Sequence, residues 1–487
     1  MAKQTAYEMV IGLETHVELR TQSKIFCSCK NSFGAEPNTY VCPVCMGLPG
    51  ALPVFNEQVL RYAAIAGMAT NCHVHHRSRF DRKNYFYPDL PKAYQISQFY
   101  RPLCERGYLR VQTSEGEKRI GITRIHIEED AGKLLHDAKN GTALDMNRCG
   151  VPLIEIVSEP DVRSAEEAVA YLRKLRAILT YTGVSDCRMN EGSLRCDVNL
   201  SIHKPGEPFG VRTEMKNLNS FQSVERAIEA EYTRQLAAVE AGEAIVQETR
   251  RYDQKTGKTT SMRRKENSAD YRYFPDPDLP EVYLSDAEMA ELCARIPALP
   301  DERREQYMRE YGLTAYAAEQ LTAERWLAEY FENAVKQAAS PVGLANLLLG
   351  EVFAQITARD TAHTGERDER SLPVAPAHLA KLSDLMSEGR VNSSTGKKIL
   401  SALFDTDCDP QTYAAEHELF TLTDEGQLNA AVEKVLAQNP DMVASFRAGR
   451  TNAERALMGK AMAETRGKAD AERLNALLHA RLSQADA

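Results

Sequence analysis

Period-two alternation of apolar and polar residues recurs along the chain up to about residue 295. In Tyr7 to Leu19, YEMVIGLETHVEL, residues Ile11, Leu13, Thr15, Val17 and Leu19 share one face, and Glu14, His16 and Glu18 share the other. Arg195 to His203 sets Arg195, Asp197, Asn199, Ser201 and His203 opposite Cys196, Val198, Leu200 and Ile202. Phe209 to Leu218 groups Arg212, Glu214 and Lys216. Arg119 to Gly132 groups Arg124, His126 and Glu128, with Glu129 and Asp130 at its end. Val151 to Pro160 is apolar apart from Glu155, Ser158 and Glu159. Each segment is expected to be a strand. Two helices are expected among them: Ala165 to Thr182 behind a Ser164 N-cap, and Ser220 to about Ala241, stopped by Gly242.

After Leu299-Pro300 the texture changes. Ala, Glu, Leu and Arg dominate, and apolar residues recur every three or four positions, as in helical bundles. The polar stretch Ala358 to Pro376 reads as a long loop or a boundary, and short helices follow from Ala377. The expected fold class is α+β: a mixed α and β domain over 1–295, a helical domain over 296–376 and a helical tail over 377–487.

The polar strand faces carry the candidate chemistry. Carboxylates and an imidazole in a row are costly to bury unpartnered, and a lone acid such as Glu155 in an apolar strand calls for an ion pair or a metal. Hard oxygen ligands with an occasional imidazole suit Mg²⁺ or Mn²⁺. Interspersed Arg and Lys suit the anionic oxygens of a nucleotide. Phosphoryl transfer needs this combination, because it leaves the protein little covalent chemistry. A hydrolytic metal site is the rival, and a zinc-containing RNA-binding scaffold without chemistry of its own is a third reading. The usual phosphate loops are missing. Gly257-Lys258-Thr259 resembles the end of one but has Tyr252 where glycine is required, so it is expected to be a basic β-turn.

Composition narrows the picture. With 487 residues, two or three domains are expected. A net charge of −9 argues against a general polyanion binder but allows local basic patches. The N-terminal residues lack a secretory pattern, and no apolar run is expected to span a bilayer, so the chain reads as cytoplasmic. Ten of the eleven cysteines precede residue 300. Cys27, Cys29, Cys42 and Cys45 form two close pairs that suggest a structural tetrahedral Zn²⁺ site. Asn71 to His76 is expected to be a solvated loop. Phe80 to Tyr100 holds seven aromatics with Arg82, Lys83 and Lys92, and Arg250 to Lys265 is basic and leads into Tyr271-Arg272-Tyr273-Phe274. Rings beside cations can stack nucleobases. The last forty residues carry more Arg and Lys than acids, which suits RNA backbone contacts.

Long segments resemble the B subunit of the tRNA-dependent amidotransferase: Val10 to Leu19, Cys42 to Gly50, Phe80 to Lys92, Gly210 to Ser220, Asp270 to Pro275 and the closing Thr465-Arg466-Gly467-Lys468-Ala469. The resemblance covers essentially the whole chain. It implies a glutamine-synthetase-like cradle domain with a mixed or antiparallel sheet, then a helical domain and a small tail that touches tRNA. It implies that Mg·ATP phosphorylates the side-chain carboxylate of glutamate on tRNA(Gln) or aspartate on tRNA(Asn). Ammonia from a separate amidase (A) subunit then displaces phosphate, and a small C subunit completes a heterotrimer. By matching motif, the resemblance implies Glu14, His16, Glu155 and one of Glu128 or Glu129 as Mg²⁺ ligands. Lys83, Arg195, Asp197 and Lys216 are implied to contact nucleotide or acyl-phosphate, and Arg124 and Arg212 to help bind the cofactor. Retention of all four cysteines favours zinc. The chain departs from the family pattern at Arg264 to Ser268, where Asn267 replaces an acid, and at Asn392 to Thr395.

Overall fold

The computed structural model describes residues 6–137, 141–264, 268–360, 372–448, 450 and 452–483. Asn267 and most of the expected 358–376 loop lie outside the described residues. The chain divides into two compact units, Met1–Leu299 and Pro300–Ala487.

The first unit is built on a nine-stranded sheet. Its order is Lys258–Arg264, Glu248–Asp253, Thr213–Lys216, Leu194–His203, Glu8–Glu18, Pro152–Ser158, Gly116–Glu129, Cys104–Thr113 and His73–Val74. All neighbours run antiparallel except Thr213–Lys216 and Glu248–Asp253, which are parallel. The alternation decides which side is covered. Ile11, Leu13, Val17, Ile125, Ile127, Ile154, Ile156, Val198, Leu200 and Met215 all turn into one core. Helices Glu57–Ala69, Ala165–Tyr181 and Phe221–Glu240 contribute Val59, Ala63, Leu172, Leu175, Val224 and Ile228 to it. Burying each of these Val, Leu, Ile and Met side chains stabilises by about 1.5–3 kcal/mol. The opposite face keeps the acids, histidines and cations.

The helix ends follow the sequence. Ser164 accepts from Glu167 N, and Ser220 accepts from Ser223 N. Gly242 adopts φ +78°, where an L side chain would be strained. Gly257 closes the expected turn by donating to Asp253 O at 2.8 Å. One expected strand is shorter than its alternation suggests: Phe209 to Arg212 is irregular, and pairing starts at Thr213. The backbone at Gly210 presses on the neighbouring strand, and a Cβ there would lie 2.2 Å from Ile202 O.

The second unit is helical. One core runs from Tyr307 to Ala414 and includes Leu344, Leu348, Leu379, Leu382, Ile399 and Leu403. Helices on both sides of the expected boundary at 376 therefore share a single interior. A separate core, Leu428 to Leu482, begins only later. The Arg466–Gly467 turn is tied to the preceding body by Asn392 Nδ2 donating to Gly467 O at 2.7 Å, so the two segments that include a sequence departure and the closing motif touch. The apolar-run expectation needs one correction: Pro341–Arg359, 19 residues, is long and apolar enough to cross a membrane by length and composition alone. Its Leu344, Leu347, Leu348 and Val352 instead fill the Tyr307–Ala414 core.

Asp409 caps the helix Pro410–Glu416, accepting from Thr412 N at 2.8 Å and from Lys381 Nζ at 2.6 Å. The lysine bond is the main cause that brings its carboxyl down to about 2. Asp409→Ala is expected to lower the stability of the helical unit by about 1 kcal/mol at neutral pH. The folded pKa lies below the ordinary 3.8, so this contribution is present above 3.8 and is lost as pH falls through about 2. Urea unfolding of both proteins should show the gap closing in acid; a constant gap would contradict the assignment.

Candidate metal and phosphate site

Sheet register assembles two clusters on the polar face. His16 pairs with Glu155 across one strand boundary and with Arg195 across the other, and Glu155 pairs with His126. His16 Nε2 lies 3.5 Å from both Glu128 Oε1 and Glu155 Oε2. His126 Nε2 lies 3.5 Å from Glu128 Oε2 and from Glu155 Oε2. Arg124 Nε donates to His126 Nδ1 at 3.3 Å, which leaves Nε2 facing the carboxylates. The two histidines therefore share Glu128 and Glu155, with His126 the more deeply buried. Burial opposes the charge on His16, but Glu155, Glu128 and Asp197 outweigh it and raise its pKa to about 9. Burial also opposes the charge on Glu155, yet His126 and His16 hold its carboxyl well below the usual range.

The second cluster lies on the other side of the central strand. Glu14 pairs in register with Asp197, and Asn199 with Glu214. The carboxylates of Glu14, Asp197 and Glu214 offer oxygens within 4.8 Å of one another, as do the ligand atoms of His16, Glu128 and Glu155. Lys216 pairs with Asp197 and lies 3.5 Å from Glu214. Asn199 Nδ2 donates to Glu14 at 2.8 Å, whereas its buried Oδ1 has no hydrogen-bond partner among the described residues. Gly12, opposite Asn199, has nothing within 4 Å of where a Cβ would be, so the face is open there. Oxygen-rich donor sets, one imidazole and an orphaned amide oxygen fit divalent cations of the Mg²⁺ class.

The structure separates Glu128 from Glu129. Strand parity turns Glu128 onto the cluster, where Ser97 Oγ donates to it at 3.4 Å. Glu129 turns away, pairs with Lys92 and accepts from Ile96 N at 2.9 Å. Lys83 reaches toward the first cluster: burial works against its charge, but Glu128, Tyr273 and Glu155 raise its pKa. Arg195, opposite His16 in register, donates from Nη2 to Asp130 Oδ2 at 2.6 Å. Glu18 beside it is pushed up to about 8 by burial and by Asp130. Arg212 is exposed and lies outside the paired strand.

Residues 9–290 match the family described as the GatB/GatE catalytic domain, and residues 329–482 match the GatB domain. A Caldicellulosiruptor saccharolyticus protein, named as the B subunit of an aspartyl/glutamyl-tRNA(Asn/Gln) amidotransferase, is 50% identical over 98% of this chain and 99% of its own length. The chain belongs to the GatB family. Relatives with the same name from Carboxydothermus hydrogenoformans and Oleidesulfovibrio alaskensis are 47% and 49% identical, each over 98% of this chain and 99% of its own length.

The cysteine lobe is built as the spacing suggests. The sulfurs of Cys27, Cys29, Cys42 and Cys45 all lie within 4.8 Å of one another, and all are free thiols. Cys42 N donates to Cys45 Sγ at 3.2 Å, and Lys24 Nζ lies 3.6 Å from the same sulfur. A thiol hydrogen bond from Cys27, with Lys24 assisting, brings the Cys45 thiol down to about 5 against the effect of burial. Four converging sulfurs, one of them beside the Lys24 ammonium, fit Zn²⁺. The histidines of Asn71 to His76 form no such set among the described residues; His75 instead pairs with Glu105 at 2.8 Å.

Sequence alternation places His126, Asn199 and Glu214 on polar faces without singling them out. Only strand order shows that they complete the clusters.

Proposed function

We propose that this chain is the kinase and transamidase subunit of a cytoplasmic amidotransferase acting on glutamate carried by tRNA(Gln) or aspartate carried by tRNA(Asn). The observation that carries the proposal is the pair of cation-ready clusters flanking one central strand, with Lys83 and Lys216 beside them. In the reaction, an oxygen of the side-chain carboxylate attacks the γ-phosphorus of ATP and ADP leaves. Ammonia then attacks the activated acyl carbon, loses a proton and expels inorganic phosphate.

His16, Glu128 and Glu155 would hold one Mg²⁺, and Glu14, Asp197 and Glu214 a second. Magnesium, when bound, neutralises phosphate charge and polarises the transferred group. Lys83 and Lys216 supply fixed positive charge toward the phosphates. Arg124, acting through His126, keeps two carboxylates oriented, and Arg195 fixes Asp130 at the end of the face. Arg212, exposed beside the Glu214 strand, is available to a bound nucleotide. The thiolates of Cys27, Cys29, Cys42 and Cys45 would bind Zn²⁺ structurally. A separate amidase supplies ammonia, and a third, small polypeptide completes the assembly.

The test is amidation of Glu-tRNA by the reconstituted complex with ammonium chloride in place of glutamine. Amide formation strictly dependent on ATP is expected. ATP-independent turnover would favour hydrolytic metal chemistry and overturn the proposal.

A further inference from the structure

Five aromatic rings form a continuous band in the first unit. Tyr85 meets Tyr271 edge-on at 5.9 Å, and Tyr271 meets Tyr273 at 6.1 Å. Tyr273 stacks on Phe99 at 4.0 Å and 10°, and Phe99 meets Tyr100 at 5.1 Å. The rings come from two distant segments. Arg272 between two of them adopts φ +47°, a conformation disfavoured for a residue with a side chain. Asn84 Nδ2 pins that strained peptide by donating to Arg272 O at 2.8 Å. Strain held by a dedicated bond, with a tyrosine of the band on each side of it, is more than a packed aromatic loop requires.

Each end of the band carries a cation. Lys83 Nζ lies 4.9 Å from the Tyr271 ring and 5.7 Å from Tyr85, and Arg79 lies 5.9 Å from Tyr100. The Lys83 end adjoins the first cluster. The Lys83 strand, Asp81–Asn84, pairs with Tyr94–Ser97, and Ser97 donates to Glu128. The other end opens to solvent, with Tyr100 54% exposed. A band of rings, one pair stacked and three contacts edge-on, with cations at its ends and a partly exposed outer ring, offers aromatic surface and positive charge to an extended, unpaired polynucleotide.

We propose that the band Tyr85–Tyr271–Tyr273–Phe99–Tyr100 is the platform on which the single-stranded 3′ end of the aminoacylated RNA stacks, so that its terminal ribose delivers the esterified amino acid to the His16–Glu128–Glu155 cluster. This rests on the transamidation reading and assigns the part of that site that grips the RNA end.

The experiment uses the assembled complex and an RNA hairpin with a four-nucleotide 3′ tail containing 2-aminopurine. Binding to the unaltered protein should quench the fluorophore. Tyr100→Ala should weaken the hairpin roughly tenfold or more and relieve the quenching. Tyr100→Phe should restore both, because the ring and not the hydroxyl is needed. A hairpin without its tail should bind the Tyr100→Ala and unaltered proteins equally. RNA affinity unchanged in Tyr100→Ala would overturn the proposal. So would a loss of ATP affinity with RNA affinity intact, which would give the band to the adenine of the nucleotide. Stacking in a wild-type complex that shows no ATP-dependent amidation would reject the transamidation reading and leave the platform standing.

Discussion

Glu155→Gln is expected to lower ATP-dependent amidation by roughly 10²–10³-fold, the scale for losing one preorganised charge-stabilising group. The substitution preserves shape and removes only charge. Glu155 lies 3.5 Å from His16 and 3.5 Å from His126 through a single oxygen. Its neutral replacement leaves Glu128 alone to balance a cation. Two measurements separate this from simple unfolding. The thermal midpoint should fall somewhat, because His126 and His16 favour the charged carboxylate, but circular dichroism at the assay temperature should stay that of the folded sheet, whose apolar core the substitution leaves intact. Mn²⁺ affinity, read by isothermal titration, should fall together with activity. Wild-type amidation in Glu155→Gln would sink the assignment of the first cluster.

Removing the zinc proposed for the cysteine lobe should release the segment around residues 27–50 without melting the nine-stranded sheet. The lobe has little apolar interior: its core is Cys45, Met146 and Cys149, with the other three ligands packed around them. So few groups cannot offset the entropy of ordering the loop, roughly 1–2 kcal/mol per residue for the backbone alone. Zinc in comparable small sites contributes about 10–16 kcal/mol of apparent binding free energy, which would be folding free energy for the lobe. After chelation, or in Cys45→Ser, amide hydrogens of Met46, Gly47 and Leu48, which now donate to backbone carbonyls of Cys42, Val44 and Pro43, should exchange at least about 100-fold faster. Amides of the Glu8–Glu18 strand should keep their protection. Equal loss in both regions would show that the lobe is a pillar of the whole unit and not a local clip.

The alternation of the strands makes the faces legible before any coordinates. Glu14 and His16, Arg124 and Glu128, and Asp197 and Asn199 all lie on the sides their parity assigns. The helix starts at Ser164 and Ser220 are equally readable, because one hydroxyl satisfying an orphan amide is a local event. Neighbourhood is not readable. Whether Glu14 meets Asp197 and Glu214, and whether His16 meets Glu155, depends on strand order and register between segments far apart in sequence. Glu128 and Glu129 show the same limit. Parity favours Glu128, but only the bonds of Glu129 to Lys92 and Ile96 show where the adjacent carboxylate goes instead. The 376 boundary misleads for a related reason: a polar stretch marks a place where the chain can leave the core, not a place where it must. Phe209 to Arg212 alternates like a strand, yet close packing at Gly210 keeps it out of the ladder.

The position of Glu8–Glu18 in the middle of the sheet has a consequence for how this protein is made. It is synthesised well before its two partners, Pro152–Ser158 and Leu194–His203. Until then it is a ribbon with one apolar face and both edges unsatisfied, open to pairing with the wrong chain. The second cluster cannot begin to close before residue 194 has emerged, and folding must wait on contacts of long sequence separation, which form slowly. Chains truncated before that strand should therefore be chaperone clients and not partial enzymes.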